Sequence, residues 1–117
     1  MTLEQARRAL DGSSLVIGAY APTGEQVGVA RIVSDRATFA WVSDVYVDAA
    51  HRGRGIARRM VAFALAHPEH QGLRRWMLAT RDAHPAYASV GFESITNPEA
   101  YMVLRPQISR NRGGDVK

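Results

Sequence analysis

Two glycines one residue apart, in HRGRGIARRM at 51–60, constrain this chain more than any other stretch. A strand-like run, DVYV at 44–47, leads into them. A helical apolar stripe of Ile56, Met60, Phe63 and Ala64 follows and is stopped by Pro68. RWMLAT at 75–80 then reads as a buried strand. Strand, glycine turn, helix and strand make a crossover, and strands joined by a crossover pair in parallel. The glycine turn therefore lies at a helix N-terminus. There the first backbone amides have no intrahelical partner and the helix dipole adds partial positive charge, so an anion is stabilised by the backbone itself. Gly53 and Gly55 let the chain approach a ligand closely, although two glycines also serve an ordinary tight turn. Arg52, Arg54, Arg58 and Arg59 concentrate positive charge around the same turn, in a chain whose formal charge is +4. A phosphate-bearing ligand fits that pattern.

The rest of the chain falls into a clear order of elements. LEQARRAL at 3–10 has helical spacing, with Leu3, Ala6 and Leu10 as a core-facing stripe, and Asp11-Gly12 ends it. SLVIGAY at 14–20 and QVGVARIVS at 26–34 are apolar, β-branched runs whose linker carries Pro22 and Gly24, the signature of a hairpin. ATFAWVSDVYV at 37–47 is a long strand. Strict alternation puts Phe39, Trp41, Ser43, Val45 and Val47 on one face and Ala40, Val42, Asp44 and Tyr46 on the other. HPAYASVGF at 84–92 reads as a short helix closed by Gly91, and AYMVL at 100–104 as a last strand. Residues 1–106 are expected to form one domain, and 107–117 a frayed tail.

Composition narrows the chemistry. No residue is cysteine, which removes disulfides, thiolate metal sites and a cysteine nucleophile and fits a cytoplasmic protein. The charged N-terminus lacks an export signal's apolar run, and no stretch is long and apolar enough to span a membrane. His51, His67, His70 and His84 have no acidic partners at metal-ligand spacing, so no metal site is expected. A nucleic-acid-binding module could use the same arginines, but helix-turn-helix, zinc and interleaved-aromatic patterns are all missing.

Three segments together resemble the GCN5-related N-acetyltransferases (GNAT). RGRGIA at 52–57 is similar to their R-x-x-G-x-G/A pyrophosphate motif, with Arg52, Gly55 and Ala57 at the defining positions. AYASVGF at 86–92 resembles their L-Y-E-K-L-G-F segment, and RRWMLATRDAH at 74–84 is similar to a branch of small proteins in the family. The resemblance implies an α/β (α+β) fold with a mixed, mostly antiparallel sheet flanked by helices, here without the family's usual first strand and helix. It also implies transfer of an acetyl group from acetyl-CoA directly to a primary amine in a ternary complex. Pro85 and Ala86 depart from the branch's glycine and leucine.

Carried over residue by residue, the resemblance assigns acetyl-CoA to Val45, Tyr46, Val47, Arg52, Gly53, Arg54, Gly55, Ile56, Ala57 and Arg58, with His84 at its border. The amide of Val45 or Tyr46 would stabilise the oxyanion. Tyr87 would protonate the leaving thiolate, although a tyrosine on a short helix also reads as a half-buried packing residue. Asp44, the one carboxylate within the central strand, is the candidate base or amine-positioning anion, and equally a strand-end charge paired with an arginine. Ser43 could orient a water. A protein with the same fold that binds acyl-CoA without catalysis is the alternative. An unprotected edge at SLVIGAY and the apolar AYMVL lead to the expectation of a homodimer.

Overall fold

The computed structural model describes residues 1–106, so the expected tail at 107–117 lies outside the described residues. α1 (Leu3–Asp11) opens the chain. Thr2 caps it: its hydroxyl accepts from the Gln5 amide at 3.0 Å while the Gln5 side chain accepts from the Thr2 amide at 2.8 Å. β1 (Leu15–Tyr20) and β2 (Gln26–Ser34) form the expected antiparallel hairpin, closed by the Ala21 amide on the Glu25 carbonyl and by Gly24 at φ 95°. The turn into β3 (Phe39–Val47) is organised by Asp35, whose carboxylate accepts from the amides of Ala37, Thr38 and Phe39 and from the Thr38 hydroxyl. α2 (Ile56–Ala66) then crosses back, and β4 (Arg75–Leu78) lies parallel to β3. The four strands follow the order β1-β2-β3-β4. α3 (His84–Ala88) follows, and Gly91 at φ 112° ends the turn beyond it.

The core lies between one face of the sheet and α2. Ile17, Ala30, Ile32, Ala40, Val42 and Val47 meet Met60, Val61 and Ala64, and Tyr87 of α3 closes one end. The buried face of α2 is one residue away from the expected stripe. Val61 is fully buried, whereas Phe63 points outward and is 57% exposed. Met60, Val61 and Ala64 obey the three- and four-residue spacing of a single helix face, and Phe63 falls beside it. α2 stops at Ala66 because His67 precedes Pro68 and takes an extended conformation.

Three further expectations are corrected. α1 buries none of its residues, and Leu3 and Leu10 are exposed, so the N-terminal stripe is not part of the core. The helix is tied down at its C-terminal end instead, where the Ala9 carbonyl accepts from Ser13 Oγ at 2.8 Å and from Arg31 Nη1 at 3.4 Å. Tyr101–Leu104 forms no strand: no ladder partner is present among the described residues, and Met102 and Leu104 are almost wholly exposed. β3 does not alternate strictly. Arg31 pairs with Asp44 but Ile32 pairs with Val42, leaving Ser43 as an extra, unpaired residue. That bulge places Ala40, Val42, Val45 and Val47 on the same inner face and turns Asp44 and Tyr46 outward.

His70 is the one buried polar side chain among the described residues. Its Nε2 lies 2.8 Å from Ser14 Oγ, its Nδ1 3.4 Å from the Ala64 carbonyl, and its ring meets Trp76 edge-on at 5.5 Å. It ties the ends of β1 and α2 to β4, and its burial is compensated because both ring nitrogens face polar partners. No three His, Cys, Asp or Glu side chains come together among the described residues, and no described helix is long and apolar enough to cross a membrane.

Ile32 sits at the bulge and is fully buried. Ile32→Ala is expected to lower unfolding free energy by about 2–5 kcal/mol, against less than about 0.5 kcal/mol for Leu3→Ala on the exposed helix. Denaturant titration of the two variants checks this, and equal losses would contradict the position of α1.

Candidate active site

β3 and β4 pair over only four residues, from Phe39 with Arg75 to Val42 with Leu78. Beyond that point β3 runs on through Ser43–Val47, while β4 ends at Leu78 and Ala79 and Thr80 belong to no strand. Between the unpaired end of β3 and the chain that follows β4 lies a cleft of about 600 Å³. One wall is the end of β3, with Val45, Tyr46 and Val47. The glycine turn and the start of α2 form the mouth, with Arg52, Gly53, Gly55, Ile56, Ala57 and Arg58. Tyr87 of α3 also borders the cleft. Nine of the eleven residues expected to hold the cofactor therefore border one cleft, together with the expected acid.

The mouth is shaped by its glycines. Gly53 and Gly55 have φ 81° and φ 77°, in the left-handed region that side chains disfavour. A Cβ at Gly55 would lie 2.7 Å from Arg58 Nη2. Gly55 is the N-cap of α2 and offers no capping side chain, so the first amides of the helix are left for a ligand or water. Arg52 is fixed from behind: its Nε donates to the Val47 carbonyl at 2.8 Å and its guanidinium lies 5.5 Å from the Tyr46 ring centroid. Arg58 and Arg81 add positive charge to the same walls.

Tyr87 is 8% exposed, and its ring packs edge-on against Phe92 at 6.1 Å. Burial raises its phenol pKa above the ordinary 10.0, because the phenolate would lose solvation. The hydroxyl is thus held protonated at neutral pH, with no side-chain partner among the described residues. The packing reading of Tyr87 applies, and the residue also borders the cleft.

Three expected residues lie elsewhere. Arg54 borders a separate groove beside Tyr20 and Phe63. His84 lines a hollow on the other side of α3 with Trp76, which adjoins the cleft through Tyr87. Asp44 does not line the cleft; its carboxylate is 64% exposed and accepts from Arg31 Nε at 2.8 Å, the arginine-paired arrangement among its two readings. The bulge causes this, since the extra residue at Ser43 brings Ser43 itself to the cleft. Sequence reasoning gave no role to Thr80, Asp82, Ala83 or His51, which also border the cleft. Thr80 accepts the Ala83 amide at 3.0 Å and so shapes the approach to α3; the ATRDAH stretch carried that position without marking it.

The comparisons with known proteins agree with this geometry. The model of the acetyltransferase (GNAT) domain matches residues 12–94. A solved structure from Xanthomonas campestris pv. campestris, assigned to the GNAT family, is 44% identical, with a TM-score of 0.80 over 89% of this chain and 72% of that one. Glucosamine-6-phosphate N-acetyltransferase from Arabidopsis thaliana shares the fold at 16% identity, with a TM-score of 0.66 over 88% of this chain and 72% of that one. The Gibberella zeae protein FG08082, which bears an acetyltransferase name, is 43% identical over 61 residues, half of this chain but only 33% of that protein. The chain belongs to the GNAT acetyltransferase family, and its mixed, open four-stranded sheet is that fold.

The raised pKa of Tyr87 makes a prediction about stability. A phenol whose folded pKa exceeds its unfolded value contributes stability that is complete below about pH 10 and lost as pH rises through the folded pKa. Unfolding free energy is expected to fall more steeply above about pH 10 in the native chain than in Tyr87→Phe. Parallel alkaline titrations would show the mechanism absent if the two curves kept a constant separation.

Proposed function

We propose that this protein transfers the acetyl group of acetyl-CoA directly to a primary amine while both substrates are bound. The observation that carries the reading is that one cleft is lined both by a left-handed glycine turn at a helix N-terminus and by a buried tyrosine. The residues fit acyl-CoA. Gly55 holds a left-handed backbone that side chains disfavour, the α2 amides and Arg52 and Arg58 suit a pyrophosphate, and Val45 and Val47 suit the pantetheine arm.

The chemistry follows from what each group offers. An amine with a pKa near ~10.4 is almost wholly protonated at neutral pH and must shed a proton before attack. Asp44 is engaged by Arg31, so in this reading the proton leaves to water entering beside the Ser43 hydroxyl, which borders the cleft. The amine nitrogen then bonds to the thioester carbon, the oxyanion is stabilised by the amide of Val45 or Tyr46, and the now positively charged nitrogen gives up its second proton to the same water. When the carbon–sulfur bond breaks, the thiolate takes the Tyr87 proton, and the phenolate recovers it from solvent. The lack of cysteine in the chain agrees with direct transfer.

Acetyl-CoA is expected to raise the melting temperature of the native protein by mass action on the folded state, and Gly55→Asp to abolish that shift. Tyr87→Phe is expected to bind acetyl-CoA normally yet lose about 10²-fold or more in turnover against a panel of amines. A thermal shift without turnover of any amine would favour the alternative, a binding protein that has kept the fold.

We also propose a homodimer. Val16 and Tyr20 on the edge strand β1, and Met102, Val103 and Leu104, present apolar side chains to solvent. Sedimentation across micromolar concentrations is expected to show a dimer that Met102→Asp or Leu104→Asp weakens. A monomer with full turnover would remove this proposal and leave the enzyme reading intact.

A further inference from the structure

The guanidinium of Arg31 takes no part in the steps above, yet it bonds to four residues of three other segments. It projects from the middle of β2 and is only 15% exposed. Its Nε donates to Asp44 Oδ2 at 2.8 Å and its Nη2 to Ser43 Oγ at 2.6 Å. Its Nη1 reaches Ser13 Oγ at 3.3 Å and the Ala9 carbonyl at 3.4 Å. Two of the four partners are thus the bulged residue of β3 and its neighbour, and the other two are the end of α1 and the turn into β1.

A bulge interrupts the ladder at the residue it inserts, so Ser43 has no cross-strand pair to fix its orientation. The planar fork of an arginine supplies that orientation from outside the ladder. Its nitrogens are rigidly spaced, and bonds from a charged donor are stronger than neutral ones. Ser43 is also where the geometry matters most. It stands one residue past the last β3–β4 pair, where that ladder ends, and it lines the cleft two residues ahead of Val45.

We propose that Arg31 is a positioning residue for acetyl transfer: by clamping Ser43 and Asp44 it fixes the bulge and holds the backbone from Ser43 to Val45 against the reacting thioester. The inference rests on the acetyltransferase reading. It separates two parts of the site, since the glycine turn is held by contacts of its own, among them the Arg52 bond to Val47. Loss of the clamp should therefore impair transfer and spare cofactor binding. It also gives Asp44 a role in this chain, as the anion that completes the clamp.

Arg31→Met keeps most of the buried stem and loses every bond; Arg31→Lys keeps the charge and loses the fork. With both assayed well below their melting temperatures, kcat is expected to drop about 10²-fold in Arg31→Met, the scale of a misplacement near 1 Å, and by less in Arg31→Lys. The Kd for acetyl-CoA should stay within about twofold of the native value, as for loss of an interaction made only in the transition state. Ser43→Ala should lower kcat in the native background and add little to Arg31→Met, because the two side chains act as one unit. Amide exchange at Ser43–Val45 should quicken in both Arg31 variants, with or without an acceptor amine. Arg36→Met, which breaks the exposed pair with Glu69 on the far turn, should leave kcat unchanged. If Arg31→Met fails to fold, Arg31→Lys and Ser43→Ala give the same comparison. Native turnover with unaltered kcat in these variants would overturn the clamp alone; absence of turnover in the native protein would overturn the acetyltransferase reading and the clamp with it.

Discussion

One inserted residue governs the shape of this protein. Without the bulge at Ser43, β3 would keep a single register from Phe39 to Val47, and the apolar sets on its two halves would face opposite sides. With it, Ala40 and Val42 before the bulge and Val45 and Val47 after it all serve one core. The same insertion adds local twist, which lets β3 pair with β4 at one end and leave it at the other. Core and cleft are thus two results of one irregularity. A flat, regular strand with the same composition would supply neither.

The glycine turn couples the fold to the site in a second way. The chain must reverse between the end of β3 and the start of α2, and Gly53 and Gly55 do this in the left-handed region. The reversal leaves the helix without a side-chain cap, which costs some helix stability compared with a Ser or Asp at that position. The uncapped amides are also what suits the turn to an anion. Burial of Met60, Val61 and Ala64 against the sheet offsets the missing cap, so α2 is stabilised by its far face rather than by its start.

Much of this was legible in the residues, and for physical reasons. β2 was read to the residue because β-branched side chains bounded by turn residues give a strong period-two signal, and the crossover followed from glycine punctuation between a strand and a helix. Nine of the residues expected to hold acyl-CoA border one cleft because they lie close together in sequence, within 45–58. What escaped was long-range. The bulge is invisible in FAWVSDVYV, since only the pairing with Arg31 and Ile32 reveals the extra residue, and with it that Asp44 pairs with Arg31 instead of lining the cleft. Leu3 and Leu10 have perfect helical spacing, but spacing says which face is apolar and not whether anything packs on it. AYMVL has strand propensity, and propensity forms no strand without a partner. His70 reads as one more histidine until Ser14 and Ala64 are brought to its two nitrogens.

The sheet's connectivity also sets an order of assembly. β1, β2 and β3 meet through two short turns, so their contacts close small loops at little entropic cost. The pairing of Phe39 with Arg75 is different in kind, because the whole of α2 lies between the two residues and must be in place before they can meet. The hairpin contacts are local and the β3–β4 ladder is not, and the cleft depends on that non-local ladder, which runs as far as Val42 and Leu78. A molecule with its hairpins formed but β4 undocked would leave the edge of β3 from Phe39 to Val42 unpaired and would lack the cleft.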